Sequence, residues 1–397
     1  METATLILKK HEERRLRAGH LWVYSNEVDT GRTPLTRFEP GQPVRIEASD
    51  GKAIGAGYVN PHSLICARLV SRNPDQTLDR SLLVHRLNVA LSLRERLFDQ
   101  PFYRLVHGEG DALPGLVVDR YGDVLVAQLN TAGMEWAKEA VVAALEKVIR
   151  PRAIVLRNDG GARALEGLES YVETPLGAAP EELEIEENGA RFGVPSLEGQ
   201  KTGWFFDHRL NRARTQRYAR GKRVLDVFSY IGAWGIEAAV AGADEVVCVE
   251  SSERALERLA ANAERNRVDG KVSAIQGDAF DVLRALRAER EHFDVVIVDP
   301  PAFIKRKKDI KEGTRAYRRL NQMAMQLLGR DGILASGSCS YHLRPDVLTT
   351  TLLQASRHLD RSLQIVEQGH QGPDHPVHPA IAETDYLKFL LGRVVLA

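Results

Sequence analysis

Val224-Leu225-Asp226-Val227-Phe228-Ser229-Tyr230-Ile231-Gly232-Ala233-Trp234-Gly235 decides the fold of the C-terminal half. A short apolar run ends in an acid, turns at a glycine and opens into a helical pattern. Four further apolar runs follow, over 245–250, 272–276, 293–298 and 332–336. Strands that are apolar at successive positions, separated by helical patterns, belong to a parallel sheet covered on both faces. The expectation is an α/β domain over residues 181–397, Rossmann-like, with a mostly parallel, doubly wound sheet.

Upstream the pattern changes. Residues 1–73 read as a small β-rich domain, with alternating runs such as Pro43–Ala48 and Ala53–Val59 between Gly, Pro and Asp turns. Residues 74–180 read as a small α+β domain: a helix over 78–99, strands near 102–107, 115–120 and 123–129, a helix over 134–149 and a strand at 153–157. Three domains suit a chain of 397 residues.

Composition excludes some classes. The 54 basic and 54 acidic side chains cancel, so any nucleic-acid surface is a local patch. No run approaches 18 apolar residues, and the first residues lack the order of a secretory signal. Cys66, Cys248 and Cys339 are too far apart to pair by spacing, which fits a reducing cytoplasm. No membrane partner and no metal are expected. The His370, His375 and His378 stretch reads as a shaped Pro/Gly loop.

Ligands of open parallel sheets bind at the carboxyl ends of the strands. Acids stand there: Asp226, Glu250, Asp278 and Asp299. The Gly232 turn lets backbone approach a ligand, with a helix N-terminus behind it. The stretch is not G-x-G-x-x-G, which disfavours a dinucleotide pyrophosphate. Glu250 is placed to accept from a ribose diol and Asp278 from an adenine amine. The four acids in register resemble those of class I S-adenosylmethionine-dependent methyltransferases, which implies S-adenosyl-L-methionine as cofactor.

Gln200-Lys201-Thr202-Gly203-Trp204-Phe205-Phe206-Asp207-His208-Arg209 narrows the likeness. It is similar to the stretch preceding the first strand in RlmI-type 23S rRNA cytosine-C5 methyltransferases, with His208 where Gln is usual. The resemblance spans the chain. It includes an N-terminal PUA domain, here marked by Gly19-His20-Leu21-Trp22-Val23-Tyr24, and a middle domain. It implies that Phe205, Phe206, Asp207 and Arg209 lie beside the cofactor, with Asp226, Ser229, Tyr230, Gly232, Glu250, Ser251, Asp278, Ala279 and Asp299.

Carbon 5 of a pyrimidine is a poor nucleophile until a thiolate adds to C6, so the chemistry needs a cysteine at this rim. Cys339, in Ser338-Cys339-Ser340 after a central strand, is the expected nucleophile. Asp299 is the expected second catalytic group, donating to N3 of the base if it is protonated. Pro300 and Phe303 would meet the flipped base, and Lys305, Arg306, Lys307 and Lys308 the phosphates. A second basic run extends from Lys201 to Arg223, and Lys9, Lys10, Arg14 and Arg15 would serve the PUA-like domain. The implied partner is 23S rRNA or a large-subunit assembly particle, with a homodimer permitted. Asp299-Pro300-Pro301-Ala302-Phe303 also resembles the loop of amino methyltransferases, so methylation of a purine ring or exocyclic nitrogen stays open. So does a non-catalytic RNA-binding role in ribosome assembly.

Overall fold

The computed structural model describes residues 4–197 and 202–397, which leaves Gln200 and Lys201 of the signature outside the described residues. The chain forms two compact units: one of residues 1–183, 195–206 and 373–384, the other of 184–194, 207–372 and 385–397. No helix among the described residues is long and apolar enough to cross a membrane.

The first unit holds two five-stranded sheets. In the N-terminal sheet, Ala4–Ile7, Pro43–Glu47, Ala53–Val59, Ile65–Ser71 and Trp22–Tyr24 lie side by side in that order. In the second, the order is Tyr171–Leu176, Ala153–Asn158, Val124–Leu129, Leu116–Tyr121, Phe102–His107. Val124–Leu129 and Ala153–Asn158 run parallel because the helix Lys138–Ile149 crosses between them. The helix Arg80–Leu97 starts at an Asp79 cap that accepts from the Leu82 amide at 2.9 Å.

A boundary at residue 73 separates these sheets but not their packing. Buried Tyr58 of the N-terminal sheet donates to the Pro114 carbonyl at 2.8 Å, and its ring fills the space where a Cβ on Gly133 would sit. The segment 373–384 joins this unit through polar burial. Arg94 grips Asp111 with two bonds of 2.6 and 2.7 Å and donates to the Asp374 carbonyl at 2.7 Å. The His375 ring lies 4.9 Å from that of His107.

The second unit is the expected doubly wound domain. Its strands are β1 (Arg223–Val227), β2 (Glu245–Glu250), β3 (Val272–Gln276), β4 (Phe293–Val298), β5 (Leu328–Ser338), β6 (Arg361–Gly369) and β7 (Lys388–Leu396). They line up as β3-β2-β1-β4-β5-β7-β6. The pairs β1–β2, β1–β4, β2–β3 and β4–β5 are parallel, whereas β7 runs antiparallel to both β5 and β6. Helices α1 (Arg209–Gln216), α2 (Ala233–Val240), α3 (Glu253–Arg265), α4 (Ala279–Ala288), α5 (Ile310–Gln326) and α6 (Pro345–Arg357) cover the faces. Leu225, Val227, Val296, Val298 and Leu334 pack with Tyr317 and Leu320 of α5 and with Leu348 and Leu352 of α6. Each such buried side chain contributes about 1.5–3 kcal/mol. A two-stranded sheet of Glu182–Glu187 and Ala190–Pro195 precedes the domain, turned at Asn188-Gly189, both at positive φ.

Candidate active site

The carboxyl end of β1 carries backbone strain. Phe228 and Tyr230, neither a glycine, have φ of 68° and 49°, and Gly232 has φ 90°. Left-handed non-glycine residues cost free energy and cluster at ligand sites. Their loop is pinned by the amides of Phe228 and Ser229, which donate to the Val249 carbonyl at 3.0 and 3.1 Å. A Cβ on Gly232 would come within 2.7 Å of Ile236. The turn thus brings backbone to a place no side chain fits.

Below this turn lies Asp226, fully buried, accepting from the Gly235 amide at 2.9 Å. Burial pushes its carboxyl up to about 7, helped by the charges of Asp299 and Glu250. Expected beside the cofactor, it instead braces the turn from beneath. Glu250, half-buried at the end of β2, accepts from the amides of Tyr230, Ser251 and Ser252 at 3.0, 2.8 and 2.9 Å. Asp278 is exposed. One of its oxygens caps α4 by accepting from the amides of Phe280 and Asp281 at 2.9 and 3.2 Å. Ala279 is the buried first residue of that helix, Ser229 is buried and Ser251 is exposed.

Asp299, after β4, receives a hydrogen bond from Trp234 Nε1 at 3.1 Å, and His208 Nε2 lies 3.2 Å from its other oxygen. Burial alone would raise this carboxyl, but His208 and the Trp234 donor outweigh it and hold the group below its ordinary value. The structure therefore corrects the expectation of a protonated Asp299: the group is an ionised acceptor. His208 is itself fixed by a chain of contacts. Arg214 donates to Asn211 Oδ1 at 2.9 Å, Asn211 Nδ2 donates to the His370 carbonyl at 3.2 Å, and that Nδ2 lies 3.1 Å from His208 Nδ1. An amide nitrogen only donates, so Nδ1 accepts and the ring proton sits on Nε2, facing Asp299.

Asp207 accepts from the Tyr386 hydroxyl at 2.6 Å, and its carbonyl from the Gly372 amide at 3.0 Å. Arg209 is drawn into a buried ion pair with Glu187 at 2.9 Å; Glu187 also holds Arg212, which lies 3.3 Å from Glu237. Burial works against the Glu187 charge, yet the two arginines keep its carboxyl below its ordinary value. Arg209 is thus a structural cation rather than a side chain open to a ligand. Phe206, in the first unit, is fully buried with its ring 5.6 Å from Tyr121, and Phe205 is half-buried there. The structure turns Phe206 from an expected cofactor contact into a core residue.

Cys339 follows β5 between two buried serines, Ser338 and Ser340, and is itself half-exposed. Both serine hydroxyls meet the buried Tyr317 hydroxyl at 2.9 Å, and Ser340 Oγ accepts from the Ile304 amide at 3.1 Å. Lys388, the cross-strand partner of Ser338, donates to the Ser340 carbonyl at 2.6 Å and the Tyr386 carbonyl at 2.7 Å. Burial brings its ammonium down to about 8. The other cysteines are buried: burial lifts the Cys66 thiol to about 12 and the Cys248 thiol well above its ordinary value.

Of the expected RNA contacts, Lys305, Arg306, Lys307 and Lys308 are exposed, although Arg306 pairs with Asp309 at 3.1 Å. Pro300 is buried, and the Phe303 ring packs 4.8 Å from Tyr317. Lys9, Lys10 and Arg14 are exposed, whereas Arg15, partly exposed, bonds Glu27 at 2.7 Å. Lys201 lies outside the described residues. Much of the remaining basic run faces acids: Arg209 and Arg212 meet Glu187, Arg214 meets Glu367, Lys222 meets Asp294 and Arg223 meets Glu245. Among the described residues no group of His, Cys, Asp and Glu has a metal-holding arrangement.

The family model described as S-adenosylmethionine-dependent methyltransferase matches residues 104–393, and that of a PUA-like domain matches 6–72. The chain belongs to the S-adenosylmethionine-dependent methyltransferases. It is 38% identical over 398 residues to ribosomal RNA large subunit methyltransferase I of Erwinia tasmaniensis, covering 99% of this chain and all of that one. Identity to the enzyme of the same name from Shigella boydii is 36%, over 98% of this methyltransferase and 99% of the relative. These relatives identify the chain as a member of the ribosomal RNA large subunit methyltransferase I family. In fold it is similar to the methyltransferase SMU.776 solved with S-adenosylhomocysteine (SAH), at TM-score 0.83 and 21% identity, covering 98% of this chain and 100% of that one. The methyltransferase depends on S-adenosylmethionine, and the strained Phe228–Gly232 turn at the carboxyl end of β1, with Glu250 beside it, fits that group.

His208, Trp234, Tyr386 and Lys388 are polar site groups that sequence reasoning did not assign. For His208 the signal was present, as the one departure from the signature. Lys388 stands out only as a lone cation opening the apolar run Phe389-Leu390-Leu391.

Proposed function

We propose that this methyltransferase acts on carbon 5 of a cytosine in 23S rRNA, in the cytoplasm, with Cys339 as nucleophile. The observation that carries the reading is the half-exposed Cys339 at the carboxyl end of β5, while Cys66 and Cys248 are buried with thiols held protonated. S-adenosylmethionine, held by the Phe228–Gly232 turn, Glu250, Ser251 and Asp278, supplies an electrophilic methyl group.

The Cys339 thiolate bonds to C6 of the base, and the C5=C6 π pair moves onto C5, which makes C5 able to accept the methyl group. Loss of the C5 proton then restores the double bond and expels the thiolate. Ionised Asp299 suits an acceptor role: its oxygens keep lone pairs beyond those engaged by Trp234 and His208 and would take the exocyclic amine of cytosine. Uracil offers an oxygen there, so the same carboxylate would repel it. Lys305, Lys307 and Lys308 would line the phosphate path, and the PUA-like residues 1–73 would bind RNA in their own right.

That ionised acceptor also suits an amino group as the methylated atom, which gives a second reading, transfer to nitrogen without an adduct. Methyl transfer from labelled S-adenosylmethionine to unmodified 23S rRNA, followed by nucleoside analysis, separates them. Label in 5-methylcytidine that disappears in Cys339→Ala is the expected result. Label in another nucleoside, or undiminished in the variant, would overturn the thiolate route.

A further inference from the structure

A cysteine adds to a pyrimidine only as the thiolate, and an ordinary thiol is mostly protonated at neutral pH. A nearby fixed positive charge changes that balance. Tyr317 from α5 and Lys388 on β7 act on Cys339, and Asp385, ahead of β7, acts in turn on Lys388. Tyr317 is a phenol and brings no positive charge. Lys388 is the cation of the pair.

Its placement is built rather than incidental. The side chain is buried, it leaves β7 opposite Ser338, and its ammonium donates to the carbonyl of Ser340, the residue after Cys339. The second bond ends on the Tyr386 carbonyl, so both hydrogen bonds go to neutral acceptors and leave the charge in place. The bond to Ser340 and the register opposite Ser338 bracket Cys339 from both sides in sequence. A buried lysine carries a desolvation cost that packing alone does not require, since a methionine of like length would fill the space.

We propose that Lys388 is a positioning residue that holds Cys339 as a thiolate, its ammonium fixed to the Ser340 carbonyl. This rests on Cys339 being the nucleophile. At pH above about 8 the ammonium itself loses its proton, so its help is confined to neutral pH.

The test reads the thiol without RNA or cofactor: the rate of Cys339 alkylation by iodoacetamide against pH, in the full chain, with Cys339→Ala as blank. In the wild type the midpoint is expected clearly below the ordinary thiol value of about 8.5. Lys388→Met should raise it by a unit or more, slowing alkylation at pH 7 about tenfold, since one unit is a factor of ten. Lys388→Arg should keep most of the lowering. SAH titration of each variant checks its fold. A wild-type midpoint at or above the ordinary value overturns the proposal even if the methionine variant fails to fold, and so does an unchanged midpoint in a folded Lys388→Met. Product analysis on RNA is separate: a product other than 5-methylcytidine would end the cytosine-C5 reading while leaving the thiol measurement intact.

Discussion

Asp226→Asn tests the reading of Asp226 as a buried brace. The carboxyl is fully buried and pushed from 3.8 up to about 7. A group whose folded value is raised stabilises fully below its unfolded value, and that stability is lost as pH climbs through the folded one. Three units correspond to about 4 kcal/mol at most, lost between pH near 4 and near 7, with about 2.5 kcal/mol of it falling between pH 5 and 8. Asparagine does not titrate. Its amide oxygen keeps the bond from the Gly235 amide, but its nitrogen lands where Asp226 Oδ1 has no hydrogen-bond partner among the described residues. Protonated Asp226 leaves a like O–H unpartnered at that oxygen, so the orphan donor is common to both proteins at low pH. The variant should therefore gain on the wild type by roughly 2 kcal/mol between pH 5 and pH 8. With two compact units the whole chain need not unfold in one step. Native-state hydrogen exchange of the β1 amides, compared between the two proteins at each pH, isolates the relevant opening. A gap constant within about 0.5 kcal/mol across that range would refute an uncharged, desolvated Asp226.

Three further outcomes follow from the site. Glu187→Gln leaves Arg209 and Arg212 buried without their shared carboxylate, and should lower stability by about 3–5 kcal/mol in denaturant unfolding; under 1 kcal/mol would contradict the pairing. Gly232→Ala forces a Cβ to within 2.7 Å of Ile236 at φ 90°, so SAH affinity by calorimetry should fall at least about tenfold, and an unchanged affinity would remove the turn from the cofactor site. Trp234→Phe deletes the Nε1 donor to Asp299 and lets that carboxyl rise. Because activity needs Asp299 ionised and is lost as pH falls through its pKa, the acid limb of the methyl-transfer profile should move to higher pH; an unmoved limb would detach Asp299 from catalysis.

What the sequence made legible followed from burial on both faces. The strands β1, β2 and β4 are apolar at successive positions because helices cover both sides, so they announce themselves without any partner being known. β6 and β7 escaped. β6 alternates half-buried with exposed positions as an edge strand, and β7 opens on Lys388 and carries Arg393. The Asn188-Gly189 hairpin had a strong local signal, an Asn-Gly pair between alternating runs, which went unread against the charge of Glu182–Glu187.

The site divides on the same principle, because charge in sequence does not say where its partner is. The run ending at Arg223 looks like one basic face, yet its acids arrive from elsewhere in the chain: Glu187 from 25 residues before Arg212, and Glu367 from far beyond Arg214. A cation paired in this way has its field partly cancelled by its acid. Lys305, Lys307 and Lys308 look alike in sequence but stand exposed beside the Asp299 loop. Lys388 is the converse case. A single buried cation is invisible as a charge pattern, and only the register of β7 against Ser338 reveals the thiol it serves. Local chemistry was therefore readable where one strand end supplied it, and unreadable where two distant strands had to meet.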